Sequence, residues 1–144
     1  MTARILVIDD AATVRLYHRK MLGDAGWQID EAGNGLEALE KLDTGTGAPP
    51  FDLYVVDINM PKMDGYSFVR ALRQLPPGRQ APVLMVSTEA QAHDASAAQD
   101  AGANAYLVKP ARPADLVLTA ALLLGDLDAA CRAAALHLQH GARP

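Results

Sequence analysis

Four short apolar runs in this chain each lead directly into side chains that can handle phosphate or a hard metal ion. ILVI ends at Asp9 and Asp10, LYVV at Asp57, VLMV at Ser87 and Thr88, and AYLV at Lys109 and Pro110. Carboxylates ligate hard, oxygen-seeking cations and can act as nucleophiles. A hydroxyl donates to a phosphoryl oxygen, and an ammonium pairs with one as a point charge. Such a set suggests chemistry rather than packing.

The elements that must position these groups follow from the pattern around them. Runs of four β-favouring residues read as strands buried on both faces of a parallel sheet. In such sheets ligands bind outside the carboxyl ends of the strands. Three carboxylates, a hydroxyl and an ammonium are therefore expected at one edge.

Between the runs the period changes to that of helices. Residues 12–22 carry Val14, Leu16, Tyr17, Met21 and Leu22 at helical spacing, with Gly23 and Gly26 near the end. Residues 27–32 form a partly polar strand, as expected near a sheet edge. Asn34-Gly35 turns the chain into a leucine-bearing helix over 36–42, and TGTGAPP (44–50) is a loop. Residues 66–75 place Phe68, Val69 and Leu72 on one side of a helix that Pro76, Pro77 and Gly78 stop. An alanine-rich helix over 92–101 ends at Gly102, and Pro113 opens a last helix over 113–124. Strict alternation of five strands and five helices predicts an α/β fold with right-handed crossovers. Beyond Gly125, Leu127, Cys131, Ala134 and Leu138 are spaced for one extra helix.

Composition narrows the function classes. The 144 residues suffice for one domain with a core, and at 50% hydrophobic and 21% charged the chain is globular. A net charge of -4 with no basic tract argues against nucleic acid as a partner. The lone Cys131 excludes an intrachain disulfide. The start MTARILVIDD lacks the apolar stretch of a signal peptide, and no run approaches the roughly 20 residues of a membrane span. A soluble, cytoplasmic protein without membrane contact is expected.

Four segments match a known family, in order and at successive strand ends. They are VIDD at Asp9 and Asp10, DINMPKMDG from Asp57 to Gly65, VSTEA from Val86 to Ala90, and YLVKP from Tyr106 to Pro110. Over residues 4–124 the chain resembles a response-regulator receiver domain of the stand-alone chemotaxis type. The resemblance implies a flavodoxin-like, doubly wound five-stranded parallel sheet in order 2-1-3-4-5 with helices on both faces. The receiver would span 1–125, with 126–144 as a tail bearing a short extra helix.

The resemblance also implies roles. Asp57 would be the phosphoacceptor, attacking the phosphohistidine of a sensor histidine kinase to form an acyl phosphate. Asp9, Asp10, Asp57 and the Asn59 carbonyl would bind Mg²⁺, or Mn²⁺, with Asp10 ligating directly and Asp9 mostly through water. Asp10 or Ala11 would also cap the helix that follows. Lys109 would pair with the phosphoryl group, ahead of a cis bond to Pro110. Ser87 would be the switch hydroxyl; Thr88 beside it competes, but a strand cannot aim neighbours at one point and the motif register favours Ser87. Tyr106 would be the switch aromatic. Asn59 and Glu89 would tune a phospho-form lasting seconds to minutes.

The implied function is a phosphorylation-operated switch acting as a monomer on a partner such as a flagellar motor switch. The changing face would comprise the helix from Ala92, the strand from Ala105 and the helix from Pro113, beside Ala111, Arg112 and Ala114. A phosphate sink or phosphorelay intermediate shares the pattern, since no output domain follows. An aspartyl-phosphate phosphatase does not fit: it needs a second aspartate where Asn59 stands. His137, His140 and Cys131 lack a fourth ligand for zinc, and Gly45 and Gly47 do not form a phosphate loop.

Overall fold

The computed structural model describes residues 2–42, 50–88 and 92–141. Five strands, β1 (Arg4–Ile8), β2 (Gln28–Ala32), β3 (Leu53–Val56), β4 (Val83–Ser87) and β5 (Ala105–Val108), form one parallel sheet in the order β2-β1-β3-β4-β5. Helices α1 (Ala12–Asp24), α2 (Gly35–Leu42), α3 (Gly65–Arg73), α4 (Ala92–Ala101), α5 (Pro113–Leu124) and α6 (Leu127–Gly141) connect and cover it. A short 3₁₀ turn at Pro77–Arg79 follows α3. The predicted doubly wound architecture is the observed one, and the extra helix expected in the tail is α6.

Alternation along the strands divides the apolar runs between two cores. Ile5, Val7, Leu53, Val55, Leu84 and Val86 pack with α1, α5 and α6 through Leu22, Leu116, Ala120 and Ala129. Leu6, Ile8, Tyr54, Val56, Val83 and Met85 pack on the other face with Phe68, Val69 and Leu72 of α3 and with residues of α2 and α4. Each fully buried Leu or Ile side chain stabilises the fold by roughly 2 kcal/mol, so the sheet is a rigid base for its carboxyl edge.

The apolar residues that mark α1 do not all turn inward. Leu16 is 67% exposed and Tyr17 is also exposed, whereas His18 and Leu22 are buried. Positions 14, 18, 21 and 22 repeat at the spacing of one helix face, so Leu16 lies off that face and points to solvent.

The last two helices are joined by a tight turn. Gly125 adopts φ 73, the left-handed conformation that glycine reaches without strain, and ends α5. Asp126 then serves two partners. Its Oδ1 accepts from the Ala129 N–H at 3.1 Å and caps α6, while its Oδ2 accepts from the Trp27 indole at 2.9 Å. The first turns of α6 are thereby tied to the chain entering β2, and Ala129, Ala130 and Ala133 are buried.

Candidate functional site

Strand register sets two of the carboxylates side by side. Ile8 of β1 pairs with Val56 of β3, so Asp9 and Asp57 follow directly at neighbouring strand ends. Carboxylate oxygens of Asp9, Asp10 and Asp57 all lie within 4.8 Å of one another. On the far side, Ser87 of β4 pairs with Val108 of β5, and the Lys109 N–H donates to the Ser87 carbonyl at 2.7 Å. Lys109 is thus delivered to the same edge, and the peptide that follows it to Pro110 is cis.

Lys109 closes the cluster. Its Nζ donates to Asp9 Oδ2 at 2.6 Å and to Asp57 Oδ1 at 3.1 Å. Asp9 is only 2% exposed and Asp57 8%. Burial pushes the Asp57 carboxyl up, the negative charge of Asp9 pushes it further, and Lys109 opposes both. Burial also works against the Lys109 charge, but its hydrogen bond to Asp9 and the charges of both carboxylates outweigh that and hold the ammonium above the ordinary lysine range. Lys109 is raised because one ammonium faces two carboxylates, whereas Asp57 is raised chiefly by burial and then by Asp9, which Lys109 offsets only in part.

Asp9 and Asp10 differ sharply. Every polar group of Asp9 is engaged: its N–H donates to the Ala32 carbonyl, its carbonyl accepts from Arg15, Oδ1 accepts from the Ala11 N–H, and Oδ2 accepts from Lys109. Asp10 is exposed, and no hydrogen bond or ion pair engages its side chain among the described residues. Ala11, not Asp10, occupies the cap position of α1 and supplies no side-chain bond. An oxygen-only donor set with one free carboxylate and two partly neutralised ones suits a hard divalent ion that keeps several waters.

The remaining predicted residues fall as follows. Ser87 is fully buried and Thr88 exposed, so the two do not share an orientation. Tyr106 on β5 is half-buried. Asn59 is exposed in the loop that follows Asp57. Glu89 lies outside the described residues, as do Gly45, Gly47 and the side chains of His137 and His140; Cys131 is exposed.

Three residues around the site were given no role in the sequence reading. Gly65 lies so close to the end of β3 that a Cβ there would stand 2.2 Å from the Asp57 carbonyl oxygen. Its N–H donates to Ile58 O at 2.8 Å, and the adjoining Asp64 caps α3 through Ser67 N at 2.7 Å. His18 is buried beside Lys109, and its Nδ1 has no hydrogen-bond partner. Desolvation, then the Lys109 charge, lowers its pKa to about 4 despite the opposing charge of Asp9. Arg15 reaches back from α1 to the Asp9 carbonyl. A cation in the N-terminal half of a helix opposes the macrodipole, and that was the available hint of a specific partner.

A profile of the response regulator receiver domain matches residues 5–121. The chain belongs to the response regulator receiver family. Chemotaxis protein CheY1 of Helicobacter pylori is 33% identical over 126 residues, which cover 87% of this chain and 99% of that protein. A gliding motility regulatory protein of Myxococcus xanthus is 37% identical over 106 residues, 74% of this receiver chain. This chain spans only 13% of that relative's length, and likewise 13% of the sensor histidine kinase CheAY of H. pylori. Among solved structures, chemotaxis protein CheY4 of Vibrio cholerae superposes with a TM-score of 0.77 at 33% identity, covering 85% of this chain and 99% of that one. The receiver family is a signalling family whose members bind Mg²⁺ at an acidic pocket, and this chain has an acidic cluster in Asp9, Asp10 and Asp57.

Proposed function

We propose that this receiver takes a phosphoryl group from a sensor histidine kinase onto Asp57 and thereby switches its affinity for a partner in chemotaxis or motility signalling. The observation that carries this reading is the shared ammonium: Lys109 bridges Asp9 and Asp57 within the carboxylate cluster. In the proposed step an Asp57 oxygen attacks phosphorus and the P–N bond of the phosphohistidine breaks. The imidazole, protonated at its other nitrogen, leaves neutral, and an acyl phosphate remains. A bound Mg²⁺ would supply charge neutralisation between the carboxylates and the incoming phosphoryl oxygens. Asp10, exposed and unengaged, would ligate the ion directly, and Asp9 would act through water because both its oxygens are committed.

Once the phosphoryl group is present, Lys109 would turn its ammonium to it, Ser87 would donate its hydroxyl, and Tyr106 would follow inward. The readout would be the face built by α4, β5 and α5. Asn59 provides no general acid two residues beyond the nucleophile, so the site would act as a switch rather than a multiple-turnover phosphatase. Receiver function is assigned to residues 1–125, with α6 as an addition packed on α5. No helix among the described residues is long and apolar enough to cross a membrane, and we place the switch in the cytoplasm.

Incubation with acetyl phosphate and Mg²⁺, read by intact-protein mass spectrometry, tests the assignment. The native chain should gain one phosphoryl group, and Asp57→Asn should gain none. Labelling that persists in Asp57→Asn would refute Asp57 as the acceptor.

A further inference from the structure

We propose that Arg15 is a positioning residue for the cation site: it fixes the Asp9–Asp10 peptide and so determines where the Asp10 carboxylate emerges. The proposal rests on the reading that Asp9, Asp10 and Asp57 hold Mg²⁺.

Arg15 links three elements. Its NH1 group donates to the carbonyl oxygen of Asp9 at 2.5 Å, and its Nε donates to Glu31 Oε1 at 3.1 Å. Glu31 is seated on the sheet, where it pairs with Val7 in the β1–β2 register. Its second oxygen accepts from Arg19 at 2.7 Å. The hydrogen bond from Arg19 and then that from Arg15 hold the Glu31 carboxyl below the usual carboxylate range. The guanidinium is therefore clamped to a strand at one side and grips the loop peptide at the other. A planar fork suits this double hold, and a single ammonium does not.

The gripped carbonyl belongs to the peptide that joins Asp9 to Asp10. The Asp9 side chain has its own fastenings at Ala11 and Lys109. The side chain of Asp10 has none among the described residues, so its placement depends on the backbone beneath it. Of the contacts made by Asp9, the one to Arg15 is made by the carbonyl of that shared peptide.

Positioning and plain electrostatics predict opposite signs, which makes the proposal testable. Arg15 is a cation near a cation site, so by charge alone its removal should tighten Mg²⁺ binding. By positioning, its removal should loosen it.

The experiment is calorimetric titration of the full chain with Mg²⁺ alone, supported by acetyl phosphate labelling across Mg²⁺ concentrations. Arg15→Ala should weaken Mg²⁺ binding roughly ten-fold, the scale seen when a partner that orients a metal ligand is lost. Its labelling rate should return to within about two-fold of native at saturating Mg²⁺, since the nucleophile is untouched. Arg19→Ala, which loses only its contact to Glu31, should leave Mg²⁺ affinity within about two-fold. Arg15→Lys keeps the charge, loses the fork, and should bind Mg²⁺ roughly three-fold more weakly. Unchanged or tighter binding in Arg15→Ala overturns the proposal. Should that variant not fold, native affinity in Arg15→Lys overturns it. A native chain that binds no Mg²⁺ overturns the underlying site reading as well, so the two failures are distinguishable.

Discussion

The ammonium of Lys109 lies 3.1 Å from Asp57 Oδ1 across a sequence separation of 52 residues, and closer still, at 2.6 Å, to Asp9. One cation serves two carboxylates, and the nearer one is not the proposed phosphoacceptor. Asp57 shares that ammonium with Asp9, and Asp10 has no cation partner among the described residues, so the cluster keeps negative charge that a divalent ion can neutralise.

Lys109→Ala should reveal this sharing directly. Removing one partner of a buried charge set costs about 3–5 kcal/mol when the remaining charges go uncompensated. Mg²⁺ can take over that compensation, so its stabilising effect should be larger in the variant than in the native chain. Thermal melts with and without Mg²⁺ measure the difference, and equal gains in both proteins would contradict it. The variant should still be labelled by acetyl phosphate but should lose the partner response.

Asp57→Asn should make the chain more stable at neutral pH. The Asp57 pKa is raised, chiefly by burial and then by Asp9. A carboxyl raised in the folded state costs stability as pH climbs through and above its unfolded value. Asparagine keeps an acceptor for Lys109 and removes the charge. A Tm rise of about 4 °C would correspond to a gain of roughly 1 kcal/mol in a domain of this size. A lowered Tm at pH 7 would show that the pairing with Lys109 outweighs burial.

Gly65→Ala should damage both fold and site. The added Cβ would meet the Asp57 carbonyl oxygen at 2.2 Å and the Met85 side chain at 2.9 Å. Backbone cannot yield as a flexible side chain does, so the Asp57–Ile58 peptide must move. We expect a loss of about 2–4 kcal/mol in urea denaturation and a marked fall in labelling rate. Native stability in this variant would mean that the loop relaxes freely.

His18 should make stability fall on mild acidification. Its pKa drops from 6.5 to about 4 on folding, so between these values the unfolded chain binds a proton that the folded chain refuses. Stability contributed by this group therefore rises with pH across that window and is complete above it. The shift corresponds to at most about 3 kcal/mol. His18→Leu removes the titration and strands no partner, because Nδ1 has none to lose. The stability difference between native and variant, followed from pH 7 to pH 4, should change by that order. A constant difference would exclude His18 as the source.

The loci of the site were legible before any tertiary information. Buried parallel strands leave a plain trace, and polar residues immediately after such runs can lie only at the carboxyl edge. Hence Asp9, Asp10, Asp57, Ser87 and Lys109 and their common location could be read from order alone. The inward turn of α1 was less legible, because Leu16 and Tyr17 are apolar yet face solvent while His18 is buried.

What remained hidden was contact between side chains far apart in sequence. No local pattern announces that Trp27 will donate to Asp126, that Arg73 on α3 will bond the carbonyl of Gly102 beyond α4 at 3.0 Å, or that Gly65 will lie against the Asp57 carbonyl. These depend on how helices settle on the sheet, and fully apolar runs such as ILVI do not say which residue faces which layer. By itself the sequence determined the element order, an α/β fold with a parallel sheet and the inventory of charged groups at its edge, because periodicity and composition act locally; the doubly wound strand order came from the family resemblance. Only the tertiary structure decided how that charge is divided: Asp9 committed, Asp10 free, Asp57 short of a full partner. The physical reason is that Coulomb and desolvation energies depend on distances and burial, and these exist only once the strands are in register.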